Sequence, residues 1–192
     1  CEECALLLLH DCTMPSGNRG VPVAVSGTAF KNAIASYVNS GKSTYGNKIS
    51  CWDVGEVTDM SFAFQFLSSF NEPLCWDVSR VTNMEYMFNH ASAFNQDISS
   101  WDVSSVSYMI DMFRGVAFSG DLSSWNVSSV TNMRSMFYGA SAFNSDLSSW
   151  NVSSVGSMSS MFWSASAFNS DLSSWDVSSV SGIHSMFLYA ST

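Results

Sequence analysis

Apolar residues return along this chain on a fixed beat. Six of the seven tryptophans, Trp52, Trp76, Trp101, Trp125, Trp150 and Trp175, are separated by 24, 25, 24, 25 and 25 residues, and the apolar positions between them recur with the same step. The third unit shows the pattern as Ile98-x-x-Trp101-x-Val103-x-x-Val106-x-x-Met109-x-x-Met112-Phe113. Trp101 and Val103 lie two apart, the period of a strand with one buried face. Met109, Met112, Phe113 and Val116 lie at i, i+3, i+4 and i+7, the period of a helix. Met133, Met136, Phe137 and Ala140 repeat that second half, as do Met158, Met161, Phe162 and Ala165. The spacing predicts a short strand and then about two helical turns in every unit. A unit of this length cannot bury its apolar face alone and must stack on a neighbour. The expected architecture is therefore an α/β solenoid, a right-handed leucine-rich-repeat-like coil with a short parallel strand and a short helix per repeat.

Polar punctuation fits that reading. Thr82-x-x-Glu85 has the form of a capping box, and Thr58, Ser107, Thr131 and Ser181 stand as hydroxyl caps at the same register. Each unit returns through Phe-Asn-x-Asp-Ile/Leu-Ser-Ser-Trp, as in 94–101, 143–150 and 168–175, where Asn95, Asn144 and Asn169 are expected to form an internal ladder. The third coil carries Ser119-Gly120 instead and is one residue shorter. Upstream, Thr28 reads as an N-cap for Phe30, Ala33, Ile34, Tyr37 and Val38 at helical spacing, with Gly41 beyond the end. The chain thus divides into a cysteine-containing segment, 1–27, a helical cap, 28–50, and a repeat solenoid, 51–192, of about six coils with the last incomplete. Ile183, Met186 and Phe187 belong to that last coil and have no following unit in the sequence. They are expected to form an assembly end, covered by a protein partner or by self-association.

Composition narrows the class. With 46% hydrophobic and 12% charged residues the chain can build a continuous core. No apolar run approaches the ~20 residues that span a bilayer, so no membrane span is expected. The net charge is −9, made of +1 over residues 1–50 and −10 over residues 51–192. An acidic array repels phosphate backbones, which argues against nucleic acid as a partner. The opening Cys1 suggests a processed product.

The residues Tyr45-Gly46-x-Lys48-Ile49-Ser50-x-Trp52-Asp53-Val54, followed by repeated Trp-Asp/Asn-Val-Ser-x-Val-Thr-x-Met-x-x-Met-Phe, resemble the BspA-like leucine-rich-repeat surface proteins over 28–192. Departures are Ala63, Pro73, Val116 and Ile183. The resemblance implies an extracellular or cell-surface protein engaged in adhesion and protein binding, with no catalytic residues to carry over. Two alternatives stand beside that reading: a structural subunit assembling end to end into filaments or a larger complex, and a glycan- or ice-surface binder using polar ladders.

Candidate sites follow from register. If Trp101 and Val103 point inward from a strand, Ser100, Asp102 and Ser104 point outward, and stacking gives a column of Asp53, Asp77, Asp102, Asn126, Asn151 and Asp176 as a ligand-binding face. Asn126 and Asn151 also head glycosylation sequons. The turn column Asp97, Asp121, Asp146 and Asp171 is read as turn-capping rather than calcium-binding, so no metal or cofactor is expected. Tyr138 and Trp163 fall off the apolar stripe as a convex contact. Cys51 and Cys75 both precede a repeat tryptophan, so stacked strands ~4.8 Å apart would allow a disulfide, with two of Cys1, Cys4 and Cys12 pairing. Such bonds imply oxidising surroundings. His10, His90 and His184 are scattered and no catalytic triad or phosphate loop can be assembled, so an enzyme is not expected.

Overall fold

A computed structural model of the chain describes residues 22–40, 44–45 and 48–190. The repeat period is realised as a stack of chain turns, each bonded to the next at a separation of 24 or 25 residues, but the interior of each turn is not the one expected. Among the described residues there is one α-helix, α1 (Thr28–Ser40), and one 3-10 turn, Ile49–Cys51. No sheet forms. Strand pairing is limited to isolated parallel bridges that run up the stack through Asp59, Asn83, Tyr108, Asn132, Ser157 and Gly182, plus one between Pro22 and Asp53. The α/β coil with a strand and a helix per repeat is therefore overturned.

The fourth coil shows what replaces it. Val130 N–H closes a turn on the Val127 carbonyl at 2.9 Å, so the Trp-x-Val stretch bends where a strand was expected. From Met133 to Ala140 the backbone is a ribbon of turns. The amides of Met136, Tyr138 and Ala140 bond three residues back, at 3.0–3.2 Å, while those of Met133, Ser135, Phe137 and Gly139 cross to the carbonyls of Ser157, Ser159, Met161 and Trp163 at 2.7–2.9 Å. A helix would send the Phe137 amide to the carbonyl four residues back, inside its own coil. Here alternate amides leave the coil, which requires the backbone to flip sign periodically. Ser135 (φ 54°) and Gly139 (φ 66°) are left-handed, as are their register equivalents from Phe62 and Phe66 to Ser185 and Tyr189.

The same turns bury the side chains that the helical spacing grouped together. Met133, Met136, Phe137 and Ala140 are fully buried. Phe64, Phe88, Phe113, Phe137, Phe162 and Phe187 form one ring ladder at 5.2–5.7 Å. Phe70, Phe94, Phe118, Phe143 and Phe168 form a second at 6.0–6.4 Å. Each buried tryptophan from Trp76 to Trp175 donates its Nε1–H to a carbonyl one coil back, such as Trp125 to Ile98 at 3.1 Å and Trp175 to Leu147 at 2.9 Å. The indole supplies apolar area and satisfies its polar edge at once.

The residues expected as helix caps serve a different purpose. Thr82, Ser107 and Thr131 donate their amides to Thr58, Thr82 and Ser107 one coil earlier, and the Thr82, Thr131 and Ser181 hydroxyls reinforce the same ladder. The asparagine ladder exists but is exposed rather than internal: Asn71 Oδ1 accepts the Asn95 amide, Asn95 Oδ1 the Ser119 amide, and Asn144 Oδ1 the Asn169 amide.

α1 lies over the first coil. Phe30, Ile34 and Tyr37 are its buried residues. Phe30 meets the Trp76 ring edge-on at 5.7 Å, Tyr37 meets Trp52 at 5.6 Å, and the Tyr37 hydroxyl donates to Glu72 at 2.8 Å. Gly41 and residues 1–21 lie outside the described residues.

Candidate functional site

The acidic and amide column expected on a strand lies instead in turns. Asp77, Asp102, Asn126, Asn151 and Asp176 are exposed and Asp53 is half-buried. Each side chain curls back to accept the amide two residues on, Gly55, Ser79, Ser104, Ser128, Ser153 or Ser178. The chain bends at each of them, so the column lies along turns and not on a sheet, and each side chain locks its own turn. The hydroxyl of Ser104, then its amide, holds the Asp102 carboxyl below its ordinary value, and Ser178 does the same to Asp176. Ser100 is exposed and Ser104 half-buried. Asn126 and Asn151 keep their Nδ2 groups without a hydrogen bond among the described residues.

The second acidic column uses the same device. Asp97, Asp121, Asp146 and Asp171 accept the amides of Ser99, Ser123, Ser148 and Ser173 at 2.9 Å. Cys51 and Cys75 are both disulfide-bonded; Cys1, Cys4 and Cys12, two of which are expected to pair, lie outside the described residues.

Tyr138 and Trp163 are half-buried and stack at 5.6 Å. Arg114 lies 4.2 Å over the Tyr138 ring and pairs with the buried Asp111 at 2.9 Å, while Tyr189 meets Trp163 edge-on at 5.6 Å. The two aromatics are the middle of a continuous outer ladder rather than an isolated contact.

The last coil carries the exposed apolar surface. Val177, Ile183, Phe187, Leu188 and Tyr189 are each 42–68% exposed; the other large apolar side chains exposed among the described residues are Phe66 and Tyr108. Met186, the third residue of the expected assembly end, stays buried. Backbone groups add to the feature. In every earlier coil, amides at four alternate positions of the ribbon donate to the following coil, as Met158, Ser160, Phe162 and Ser164 do to Gly182, His184, Met186 and Leu188 at 2.7–3.0 Å. The equivalent amides of Ile183, Ser185, Phe187 and Tyr189 have no partner among the described residues. Ser185 and Tyr189 were outside the site read from the sequence, because the feature that marks them is a backbone donor.

No helix among the described residues is long and apolar enough to cross a membrane. A family model described as "Mycoplasma protein of unknown function, DUF285" matches residues 32–118 and 115–192. No significant match was found among curated proteins or solved structures.

Proposed function

The chain belongs to the DUF285 family, and from that premise we propose that it is a non-catalytic, BspA-like module of the cell surface that binds protein, with the face of the last described coil taking a polypeptide, whether a further repeat of the same protein or a partner chain. One observation supports the reading: four amide donors at alternate positions, without a partner among the described residues, run beside the exposed Ile183, Phe187, Leu188 and Tyr189. Apolar area supplies the driving force and the donors supply direction. The partner is a polypeptide segment that offers backbone carbonyls at alternate residues and apolar side chains, because that is what each buried coil receives from its neighbour. The recurring chemistry of the repeat is otherwise consumed internally, in ring ladders, turn locks and indole hydrogen bonds.

End-to-end assembly is less well supported. The head of the stack is covered by α1, the Gly27 amide already takes the Asp59 carbonyl at 2.8 Å, and Lys31 sits 5.4 Å over the Phe62 ring. Among the described residues, the first and last coils do not present matching open surfaces.

Surface biotinylation of intact source cells tests the location, with labelling expected. Affinity capture with the wild-type chain and with Phe187→Asp tests the edge. A partner retained by the wild type and lost by the variant is expected, with slowed amide exchange at Ser185, Phe187 and Tyr189 in the complex. Equal capture by both chains, or unchanged exchange at these amides, would overturn the binding assignment.

A further inference from the structure

Beside the apolar edge lies a polar groove of about 550 Å³, within the size range of small-molecule sites. It crosses the ribbon face from the third coil to the sixth, and on the last three of these Arg134, Ser159 and His184 occupy the same register. Ser135 and Ser160 line it from the next register, and Ser157 from the bridge column.

Its charge sets it apart. Residues 51–192 carry thirteen acidic side chains and only Arg80, Arg114 and Arg134 as permanent cations, and two of the three line this groove. Arg114 is committed to Asp111 and to the Tyr138 ring. Arg134 has its amide held by Asn132 Oδ1 at 3.0 Å, but its guanidinium makes no ion pair among the described residues. An unpaired guanidinium in an acidic chain, facing a hollow, is poised for an oxyanion.

The hollow itself comes from Gly182. It ends the bridge column that holds Asp59, Asn83, Tyr108, Asn132 and Ser157 in earlier coils. A Cβ at Gly182 would come within 2.9 Å of Ser157 Oγ and 3.0 Å of Ser159 Oγ. Any side chain there would cover both hydroxyls. Ser159 Oγ meets His184 Nδ1 at 3.1 Å, which fixes the ring and leaves Nε2 as a further polar group on the wall. Two coil steps separate Arg134 from His184, about 10 Å at the usual spacing of bonded neighbours.

We propose that this groove binds an acidic saccharide, with a single sugar carboxylate on Arg134 and ring hydroxyls on Ser157, Ser160 and His184. The span accommodates one or two sugar rings. The net charge of −9 opposes a dense polyanion, and the one uncommitted guanidinium matches one carboxylate. The inference stands independently of the protein-binding edge.

The test is titration of the full chain with galacturonic acid, followed by calorimetry and by amide shifts, with neutral galactose and inorganic phosphate in parallel. Binding of the acidic sugar is expected, with shifts at Ser159, Ser160 and Gly182. Loss of one charge-assisted contact in Arg134→Gln should weaken it by about tenfold or more. Gly182→Asn should weaken it by filling the hollow, while Arg80→Gln, whose side chain pairs with Glu56 on the surface, should not. Unchanged thermal midpoints would show that the variants fold. Equal binding of the neutral sugar, phosphate binding without uronate binding, no binding at millimolar concentration, or an unaffected Arg134→Gln variant would each overturn the proposal.

Discussion

Substituting Gly139 by alanine separates the turn ribbon from a helix by the sign of the effect. Gly139 has φ 66°, and a Cβ built on it would find Gly115 Cα at 3.9 Å and nothing closer, so a methyl group fits without a clash. Only the backbone term is left. An L-residue in the left-handed region costs about 1–2 kcal/mol, and the stiffer unfolded chain returns about 0.4–1 kcal/mol. A net loss of about 1 kcal/mol is expected. In the interior of a helix the same change would add about 1 kcal/mol, since alanine is the better helix former by that much. The two structures therefore differ by about 2 kcal/mol, or several degrees in thermal midpoint for a chain of this size. Ser164→Gly at φ 54° is the reciprocal experiment: relief of strain outweighs the added chain entropy, and a gain of about 0.5–1 kcal/mol is expected. Urea unfolding followed by the fluorescence of the buried tryptophans reads both. A raised midpoint for Gly139→Ala together with a lowered one for Ser164→Gly would refute the left-handed assignment.

Three further outcomes follow. Phe137, fully buried against Phe113, Phe143 and Phe162, should cost about 3–5 kcal/mol on replacement by alanine, and a loss below about 1 kcal/mol in urea titration would show that the ring ladder does not carry the core. Six aspartates, Asp97, Asp102, Asp121, Asp146, Asp171 and Asp176, are held below their ordinary value by serine hydroxyls and amides, so their contribution is complete above the unfolded-state value and is lost as pH falls below about 4. A variant with asparagine at all six should keep its turns, as Asn126 and Asn151 already do, and lose less stability between pH 7 and pH 3 than the wild type; an equally steep loss would count against the turn locks. Non-reducing peptide mapping should find neither Cys51 nor Cys75 as a free thiol, and reduction should lower stability by about 2–4 kcal/mol; recovery of either residue unmodified by oxidation would contradict the bonded state.

The stacking period and the inward set were legible in the sequence because both follow from apolar spacing. Met133, Met136, Phe137 and Ala140 point inward whether the chain coils as a helix or runs as alternating turns, so the i, i+3, i+4, i+7 pattern could not choose between them. The distinguishing signal was weaker and lay in the outward residues. Gly115 and Gly139 share one register, and Ser135, Ser160 and Ser185 share another; a helix has no use for glycine or serine repeated at fixed positions, whereas a left-handed backbone tolerates them. The Trp-x-Val spacing misled in the same way. Its Asp-x-Ser and Asn-x-Ser steps are side-chain-locked turns, and that chemistry outweighed a two-residue alternation too short to fix a strand. The sequence marks His184 only as one of three scattered histidines and gives no signal at Arg134, and only the stack sets the two on either side of Ser159.

The ribbon differs from a helix in where alternate amides send their hydrogen bonds, and couplings through those bonds report the acceptor directly. In a triple-labelled, deuterated sample, a long-range HNCO experiment should connect the Phe137 amide to the carbonyl of Met161 in the next coil, as the 2.9 Å bond requires. A cross-peak from Phe137 to the carbonyl of Met133, four residues back in its own coil, would show a helix and contradict the account.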